Sequence, residues 1–180
     1  MVVINPAHPE SKEIVEQIQA ITITYINDDG SESEGVIEVH ASVEDEVRRF
    51  FTAAYDLKFP IHKIVVSSEY DWDDDRLMAA NSTSGFNYRL IKGTRYPSLH
   101  GLGVAFDINP ATNPYVRFVD GETLVDPPGA VYDPEAPGAL TATHPLVTLM
   151  KNLGWEWGGD WTIESGRIDY QHFEKPLLES

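Results

Sequence analysis

The sequence predicts a single domain of the α+β class, in which helices flank a small antiparallel sheet. Of its 180 residues, 42% are hydrophobic and 23% are charged, which is typical of a compact protein that buries a core of its own. Helix and strand patterns follow one another without the regular strand and helix alternation that produces a parallel sheet. We find no internal repeat and no linker that would divide the chain.

The first elements are a predicted hairpin and a predicted helix. A β-branched run at 21–26 and an apolar run at 36–39 flank the polar segment 27–35, which is typical of a hairpin turn. Apolar residues then recur at helical spacing over 43–55, with Ser42 as the expected N-cap of that helix. The helix is expected to end before Pro60.

The remaining elements are shorter and are separated by loops rich in glycine, proline and small polar residues. The segments 81–110 and 109–138 read as loop-dominated, and loops of this kind often carry function. A helix over 143–152 has Thr143 as its expected N-cap and Gly154 just past its end. The other predicted elements are a short helix at 73–80 and strands at 64–66, 86–91, 104–108 and 167–173.

Charge and cysteine content narrow the classes of function. The chain has 13 Lys and Arg against 29 Asp and Glu, a net charge of −16, and such a field repels nucleic acids and anionic membranes. It has no cysteine, so any metal must be held by His, Asp or Glu. We see no signal peptide and leave the localisation unknown, expecting the chain to be cytoplasmic as made, with action outside the cell only after release.

Two of the six histidines stand beside acidic residues. Together with Asp107, His100 and His172 would form a set of ligands that zinc accepts when no thiolate is present. Gly101 and Gly103 would allow the tight turn between His100 and Asp107. Neighbouring His and acidic residues also arise by chance, and a solvated or hydrogen-bonded histidine is the commoner alternative.

Two motif blocks carry a resemblance to a known family. The first is Ser-Leu-His-Gly-Leu-Gly-Val-Ala-Phe-Asp at 98–107, and the second begins with Gly-Trp-Glu-Trp-Gly-Gly-Asp-Trp at 154–161 and ends with Asp169-Tyr-Gln-His172-Phe. In this order and spacing they resemble the VanY-like zinc peptidases of bacterial cell walls, which include D-alanyl-D-alanine carboxypeptidases and L-alanyl-D-glutamate endopeptidases. The resemblance covers residues 81–174, roughly half of the chain.

The resemblance implies a zinc ion in a central cleft, held by His100, Asp107 and His172. It implies that Asp169 is the general acid and base, and that Arg89 anchors a substrate carboxylate or the developing oxyanion. Many relatives have Glu where this chain has Asp169, and many have arginine directly after the aromatic residue, whereas two residues separate Phe86 from Arg89 here.

Several further expectations concern the surroundings of the metal. Along an ideal strand Asp169 and His172 would point to opposite faces, so we predict a bend or bulge between them. Ser98, Trp157 and Trp161 are predicted substrate-binding residues, although a turn for Ser98 and the core for the tryptophans are the alternatives. Asp160 is either a hydrogen-bond acceptor for a ligand histidine or a surface acid.

The sequence therefore predicts a monomeric zinc peptidase that acts on peptidoglycan stem peptides, as a carboxypeptidase or an endopeptidase. Residues 71–176 would carry the motifs, and residues 1–70 would form strands and a helix packed on them within one domain, 1–180. One alternative is a non-catalytic peptidoglycan or glycan-binding module with a structural metal. Another is a different metallohydrolase that acts on a non-peptide amide.

Overall fold

A computed structural model describes residues 2–91 and 94–176 of the chain, so the outermost residues of the predicted 1–180 domain lie outside the described part. Over these residues the protein mixes helices with short strands. The helices are α1 (Lys12–Val15), α2 (Glu44–Asp56), α3 (Asp74–Ala79) and α4 (Pro145–Asn152). The strands are β1 (Ile18–Ile26), β2 (Glu32–His40), β3 (Lys63–Ile64), β4 (Ser82–Thr83), β5 (Ala105–Asp107), β6 (Tyr115–Val119), β7 (Glu122–Asp126), β8 (Glu156–Trp157), β9 (Arg167–Asp169) and β10 (His172–Glu174).

The strands form small sheets. β1 and β2 pair as an antiparallel hairpin, and two antiparallel sheets of three strands have the orders β5-β10-β8 and β7-β6-β9. The short pair β3 and β4 is parallel. The mixture of helices and small antiparallel sheets confirms the predicted α+β class.

The apolar face of α2 packs into the main buried cluster. Phe50 on this face contacts Phe106 of β5 and Phe173 of β10, with ring centroids 5.1 Å and 5.4 Å away. Edge-to-face contacts of this kind are favoured between aromatic rings, beyond the area that they bury. The same cluster includes Ile37 of β2 and Leu146 of α4. The core therefore joins the hairpin and α2 to the short strands that carry the predicted site.

The hairpin and the long helix are confirmed, but both predicted N-caps are wrong. β1 and β2 pair from Ile18 opposite His40 to Ile26 opposite Glu32. The chain enters α2 through a 3-10 turn, at whose start the His40 side chain accepts a hydrogen bond from the Ser42 N–H. At α4 the cap is His144, which accepts from the Leu146 N–H, in place of Thr143. At the start of each of these two segments, a histidine ring nitrogen accepts the hydrogen bond that a hydroxyl was expected to accept.

Three predicted segments in the loop-rich part of the chain differ from the structure. Residues 86–91 form no strand, because their backbone groups bond to scattered partners, from Glu38 of β2 to His100 in the turn before β5. The segment 109–138 contains the hairpin of β6 and β7 in addition to loops. The predicted strand at 167–173 is divided into β9 and β10, which belong to different sheets. No helix in the described ranges has the length and apolar character that a membrane span requires.

Candidate metal centre and active-site cavity

The pairing of β5 with β10 brings two predicted ligands together. His172 lies directly opposite Asp107, and Glu174 lies opposite Ala105. Because side chains alternate along a strand, these four residues share one face of the sheet. Phe106 and Phe173 occupy the other face, where their rings stack at 5.2 Å within the core. The aromatic pair therefore fixes the register that places Asp107 beside His172.

A tight turn before β5 supplies the third predicted ligand, His100. Gly103 ends this turn at a φ of +73°, in the left-handed region that favours glycine. Its carbonyl accepts a hydrogen bond from the His40 N–H at 2.8 Å, and a Cβ at position 103 would lie only 2.8 Å from that nitrogen. Glycine is thus required both by the turn and by its close contact with the end of β2.

The three predicted ligands converge on a common point. Asp107 Oδ1 lies 3.0 Å from His172 Nδ1, and Asp107 Oδ2 lies 3.2 Å from His100 Nε2. The two ring nitrogens are 3.1 Å apart, and one ligand atom from each residue lies within 4.8 Å of the others. Two imidazole nitrogens and a carboxylate oxygen form a donor set that suits zinc.

The outward-facing ring nitrogens are also hydrogen-bonded. His100 Nδ1 donates to the Gly85 carbonyl at 2.8 Å, and His172 Nε2 donates to the Glu174 carboxylate at 2.9 Å. With a proton on each outer nitrogen, the inner nitrogen has a lone pair directed at the common point. Ligand histidines in metal sites usually make such a bond to a carbonyl or carboxylate. The donor set and its surroundings therefore fit a divalent metal.

The charges of the cluster also favour a cation. Burial opposes ionisation of Asp107, but His100 and His172 hold the pKa of that carboxyl well below its usual range. Burial would lower the pKa of His172, but hydrogen bonds to Asp107 and Glu174 raise it to about 10. Burial likewise opposes ionisation of Glu174, and His172 lowers the pKa of that carboxyl overall. Without a metal the protonated His172 supplies the positive charge between the two carboxylates, and a bound metal ion would replace its inner proton.

Asp169 ends β9, directly opposite Tyr115 of β6, and a two-residue turn at Tyr170 and Gln171 separates it from His172. The bend expected between Asp169 and His172 lies at this turn. Burial raises the pKa of Asp169 to about 7, the charge of Asp107 adds to the rise, and His172 and His100 oppose it. Within the described residues its Oδ1 has no hydrogen-bond partner. Asp169 is therefore a buried carboxyl that has one unsatisfied oxygen and a pKa near neutrality.

Gly158 determines where Asp169 lies. A Cβ at position 158 would lie 2.5 Å from the Asp169 carbonyl oxygen and 2.8 Å from the Asp169 Cβ. A real Cβ atom essentially never approaches another heavy atom to less than 3.0 Å, so a larger residue at position 158 fits only if β9 moves. The glycine at 158 in the second motif block therefore allows the backbone of β9 to approach the metal centre.

The metal centre and Asp169 line a cavity of about 880 Å³. Trp161 forms part of its wall, and its ring centroid lies 5.5 Å from that of His172. Ser98 also lines the cavity, and its hydroxyl accepts a hydrogen bond from the Gly101 N–H at 3.0 Å. Trp161 and Ser98 thus lie where a substrate would contact them, and Ser98 stabilises the turn as well.

Arg89 lines the same cavity but is paired with an acid. Its Nη2 donates to Asp74 Oδ2 at 3.0 Å, and Asp74 also accepts from the Asn87 side chain at 3.4 Å. Arg89 Nε is buried and has no partner in the part of the chain that the structure describes. The ion pair with Asp74 therefore holds the guanidinium at the cavity wall.

Trp157 does not line the cavity as predicted, and Asp160 takes one of the two roles left open for it. Trp157 lies in the core with 2% of its surface exposed, and its indole N–H donates to the Tyr170 carbonyl at 2.9 Å. It packs against Gly159 and is absent from the cavity wall, because alternation along β8 turns its side chain inward. Asp160 pairs with Lys151 at 2.5 Å and is the surface acid of the two alternatives.

Glu174 was not among the sequence-predicted site residues. Its spacing of two residues from His172 was the available signal, since residues two apart on a strand share a face. The Gly85 carbonyl that orients His100 lies outside both motif blocks, and no pattern in the sequence indicates its position.

Comparison with known proteins identifies one family. The family model described as D-alanyl-D-alanine carboxypeptidase matches residues 92–175, a little under half of the chain. This match confirms the resemblance to the VanY-like cell-wall peptidases that the motif blocks carry. The matched segment contains His100, Asp107 and His172, the three residues that could hold a metal ion. No curated protein and no solved structure matches the chain.

Proposed function

We propose that this chain is a zinc-dependent peptidase that hydrolyses an amide bond in the stem peptides of bacterial peptidoglycan. The observation that carries the proposal is the convergence of His100, Asp107 and His172 in the wall of a cavity that also contains Asp169. The match to the carboxypeptidase family supports a metallopeptidase.

His100 Nε2, His172 Nδ1 and one oxygen of Asp107 would hold the metal. When bound at three protein ligands, zinc lowers the pKa of its water to about 7 and polarises a carbonyl oxygen. Glu174 and the Gly85 carbonyl keep the two histidines in the required tautomer and orientation. The chain thus contributes a set of ligands in which the outer nitrogen of each histidine is held by a neighbouring acceptor.

Asp169 would transfer the proton during hydrolysis. Its carboxylate accepts a proton as the water oxygen forms a bond to the substrate carbonyl carbon, and it returns that proton to the leaving nitrogen when the C–N bond breaks. The position of Asp169 in the cavity wall and its pKa of about 7 support this role, because a carboxyl that ionises near neutrality can both accept and return a proton. Gly158 supports it further by permitting β9 to lie close to the ligands.

Arg89, Ser98 and Trp161 would bind the substrate beside the metal centre. Arginine offers a planar set of donors suited to a carboxylate or an oxyanion, and Asp74 holds that set against the cavity wall. The apolar face of Trp161, next to His172, would exclude water from one side of the scissile bond. A carboxypeptidase and an endopeptidase are both compatible with this arrangement.

The decisive experiment measures zinc content and hydrolysis of purified muropeptides by the wild-type chain and by Asp169→Asn. We expect Asp169→Asn to retain zinc and lower kcat by about 10²- to 10⁴-fold, because it removes the proton acceptor and leaves the ligands in place. Asp160→Asn, at a surface acid paired with Lys151, is the matched control and should retain full activity.

Mass spectrometry of the products distinguishes the two peptidase types. Release of free D-alanine indicates a carboxypeptidase, whereas division of the stem within the chain indicates an endopeptidase. Full activity of Asp169→Asn would refute the role assigned to that residue. Tight binding of muropeptides with no hydrolysis by the zinc-loaded wild type would refute the enzyme and favour a binding module.

A further inference from the structure

Three arginines line the active-site cavity, and they differ in their ion pairs. Arg89 is paired with Asp74, and Arg117 is paired with Asp126 at 2.6 Å. Arg167 forms no ion pair with any residue that the structure describes. It is therefore the cavity arginine whose positive charge no described carboxylate neutralises by direct contact.

The strand register makes this free charge unfavourable in the absence of a ligand. Arg117 of β6 and Arg167 of β9 lie directly opposite one another, and like charges at such positions destabilise a sheet. Asp126 compensates Arg117 through contacts to both Nε and Nη2, at 3.1 Å and 2.6 Å. Glu174 attracts Arg167 from a longer distance, but no acid forms an ion pair with Arg167 within the described ranges. An anionic ligand would supply the missing compensation.

Arg167 is also held in place beside the metal centre. Its Cζ lies 4.3 Å from the ring centroid of Trp161, a cation–π contact. The same indole lies beside the ring of His172. Stacking on the ring face leaves the edge of the guanidinium, where its N–H donors lie, free to bind a carboxylate. Trp161 thus positions a rigid donor group one side chain away from the metal ligands.

The negative charge of the cavity makes the Arg167 guanidinium more important for binding an anion. The chain carries a net charge of −16, and the cavity wall itself contains further acids, among them Asp75 and Glu174. An anionic peptide that enters the cavity is repelled by these groups. Such a peptide gains the most binding energy at Arg167, because no described carboxylate is paired with that cation.

We propose that Arg167, stacked on Trp161, forms an anion-binding subsite for a substrate carboxylate, separate from Arg89, and that it selects stem peptides with that carboxylate free over their amidated forms. This inference rests on the proposed function for the identity of the substrate. It adds a specificity-determining residue that lies outside the metal ligands and the proton-transfer group.

The test measures binding in place of turnover. The zinc-loaded chain with Asp169→Asn is titrated by calorimetry with three stem peptides: the free acid, the form amidated at the D-glutamate α-carboxyl, and the form amidated at the C terminus. We expect the free acid to bind about 10-fold more tightly than one of the amides. Adding Arg167→Gln should abolish that preference, and Arg167→Lys should restore part of it, because lysine keeps the charge without the planar donors.

Arg49→Gln, at an exposed arginine of α2 outside the cavity, is the matched control and should keep the preference. The inference is overturned if the Asp169→Asn protein binds the acid and both amides equally. It is also overturned if Arg167→Gln weakens all three peptides by the same factor. Hydrolysis by the wild type is assayed separately, so a failure of the proposed peptidase activity is distinguishable from a failure of the subsite.

Discussion

His172 and Glu174 project from the same face of β10, and the Glu174 carboxylate accepts a hydrogen bond from His172 Nε2 at 2.9 Å. The nitrogen that faces Asp107 is thereby left without a proton when the metal is bound. The small side chain of Ala105, directly opposite Glu174 on β5, leaves room for this contact. Glu174 would therefore fix the tautomer of His172 without itself supplying an atom that binds the metal.

Replacing Glu174 with Ala should weaken zinc binding by about 10- to 100-fold, because His172 loses the acceptor that fixes its tautomer. Glu174→Gln keeps an acceptor without the charge and should have a smaller effect. Competition with a chromophoric chelator measures the affinity. Glu156→Ala, at the neighbouring exposed position on β8, is the control. Equal affinities for Glu174→Ala and the wild type would show that the contact is not required.

Gly158→Ala should lower activity by at least about 10-fold while zinc is retained, because its Cβ would collide with Asp169 and displace the carboxyl from the reacting groups. Steady-state kinetics and metal analysis on the same preparation measure both effects. Gly30→Ala, in an open hairpin turn at a φ of +83°, serves as a control for backbone strain alone. Its kcat should equal that of the wild type, and a matching loss there would refute the steric explanation.

Glu38 gives the protein a pH-dependent stability. Burial raises the pKa of this carboxyl on β2 to about 7, whereas an exposed glutamate ionises near 4.5. Between these values the folded state holds a proton that the unfolded state has lost, so the contribution of Glu38 to stability falls as pH rises from about 4.5 to 7.

Glu38→Gln should therefore raise the free energy of unfolding at pH 8 by on the order of 1 to 3 kcal/mol relative to the wild type, with little difference at pH 4. Urea unfolding at several pH values measures the difference. Glu34→Gln, at an exposed position of the same strand, should change neither value. A constant difference between Glu38→Gln and the wild type across this range would contradict the assignment.

Glu46 links α2 to the end of the described chain. Its carboxylate accepts hydrogen bonds from the Trp155 indole N–H at 2.5 Å and from Lys175 Nζ at 3.1 Å. Glu46→Ala leaves the Trp155 N–H without an acceptor and takes from Lys175 its carboxylate partner, although Lys175 still donates to the Leu153 carbonyl, and it should destabilise the protein by about 1 to 3 kcal/mol. The comparison is Glu44→Ala, which breaks a surface pair with Arg48 and should cost about 0.5 kcal/mol or less. Urea midpoints that shift equally for the two variants would contradict this ranking.

The sequence predicts the fold best where one local pattern determines an element. The hairpin of β1 and β2 and the helix α2 follow from alternation and from helical periodicity, respectively, and both are confirmed. The residues 86–91 show alternation as well, but their backbone groups bond to separate partners that lie both earlier and later in the chain, such as Glu38 and His100. Contacts of this kind have no local signature, and the division of 167–173 between two sheets has none either.

The same distinction applies to the candidate site. The motif spacing indicates His100, Asp107 and His172, and the structure brings them together. The position of Trp157 in the core depends on which face of β8 is buried, and two residues of strand do not encode that choice. The pairing of Arg89 with Asp74 and the freedom of Arg167 arise from tertiary contacts among loops and sheet edges.

The turn at Tyr170 and Gln171 also bears on how this protein can be engineered. Asp169 is the last residue of β9 in one sheet, and His172 is the first residue of β10 in another. Only two residues therefore separate the proposed proton carrier from a candidate metal ligand along the chain. We expect an extra residue inserted there to leave the strand pairing of both sheets intact and to increase the distance between Asp169 and His172. Inserted residues are better tolerated in the β6–β7 turn at Asp120 and Gly121, which lies outside the set of residues that line the cavity.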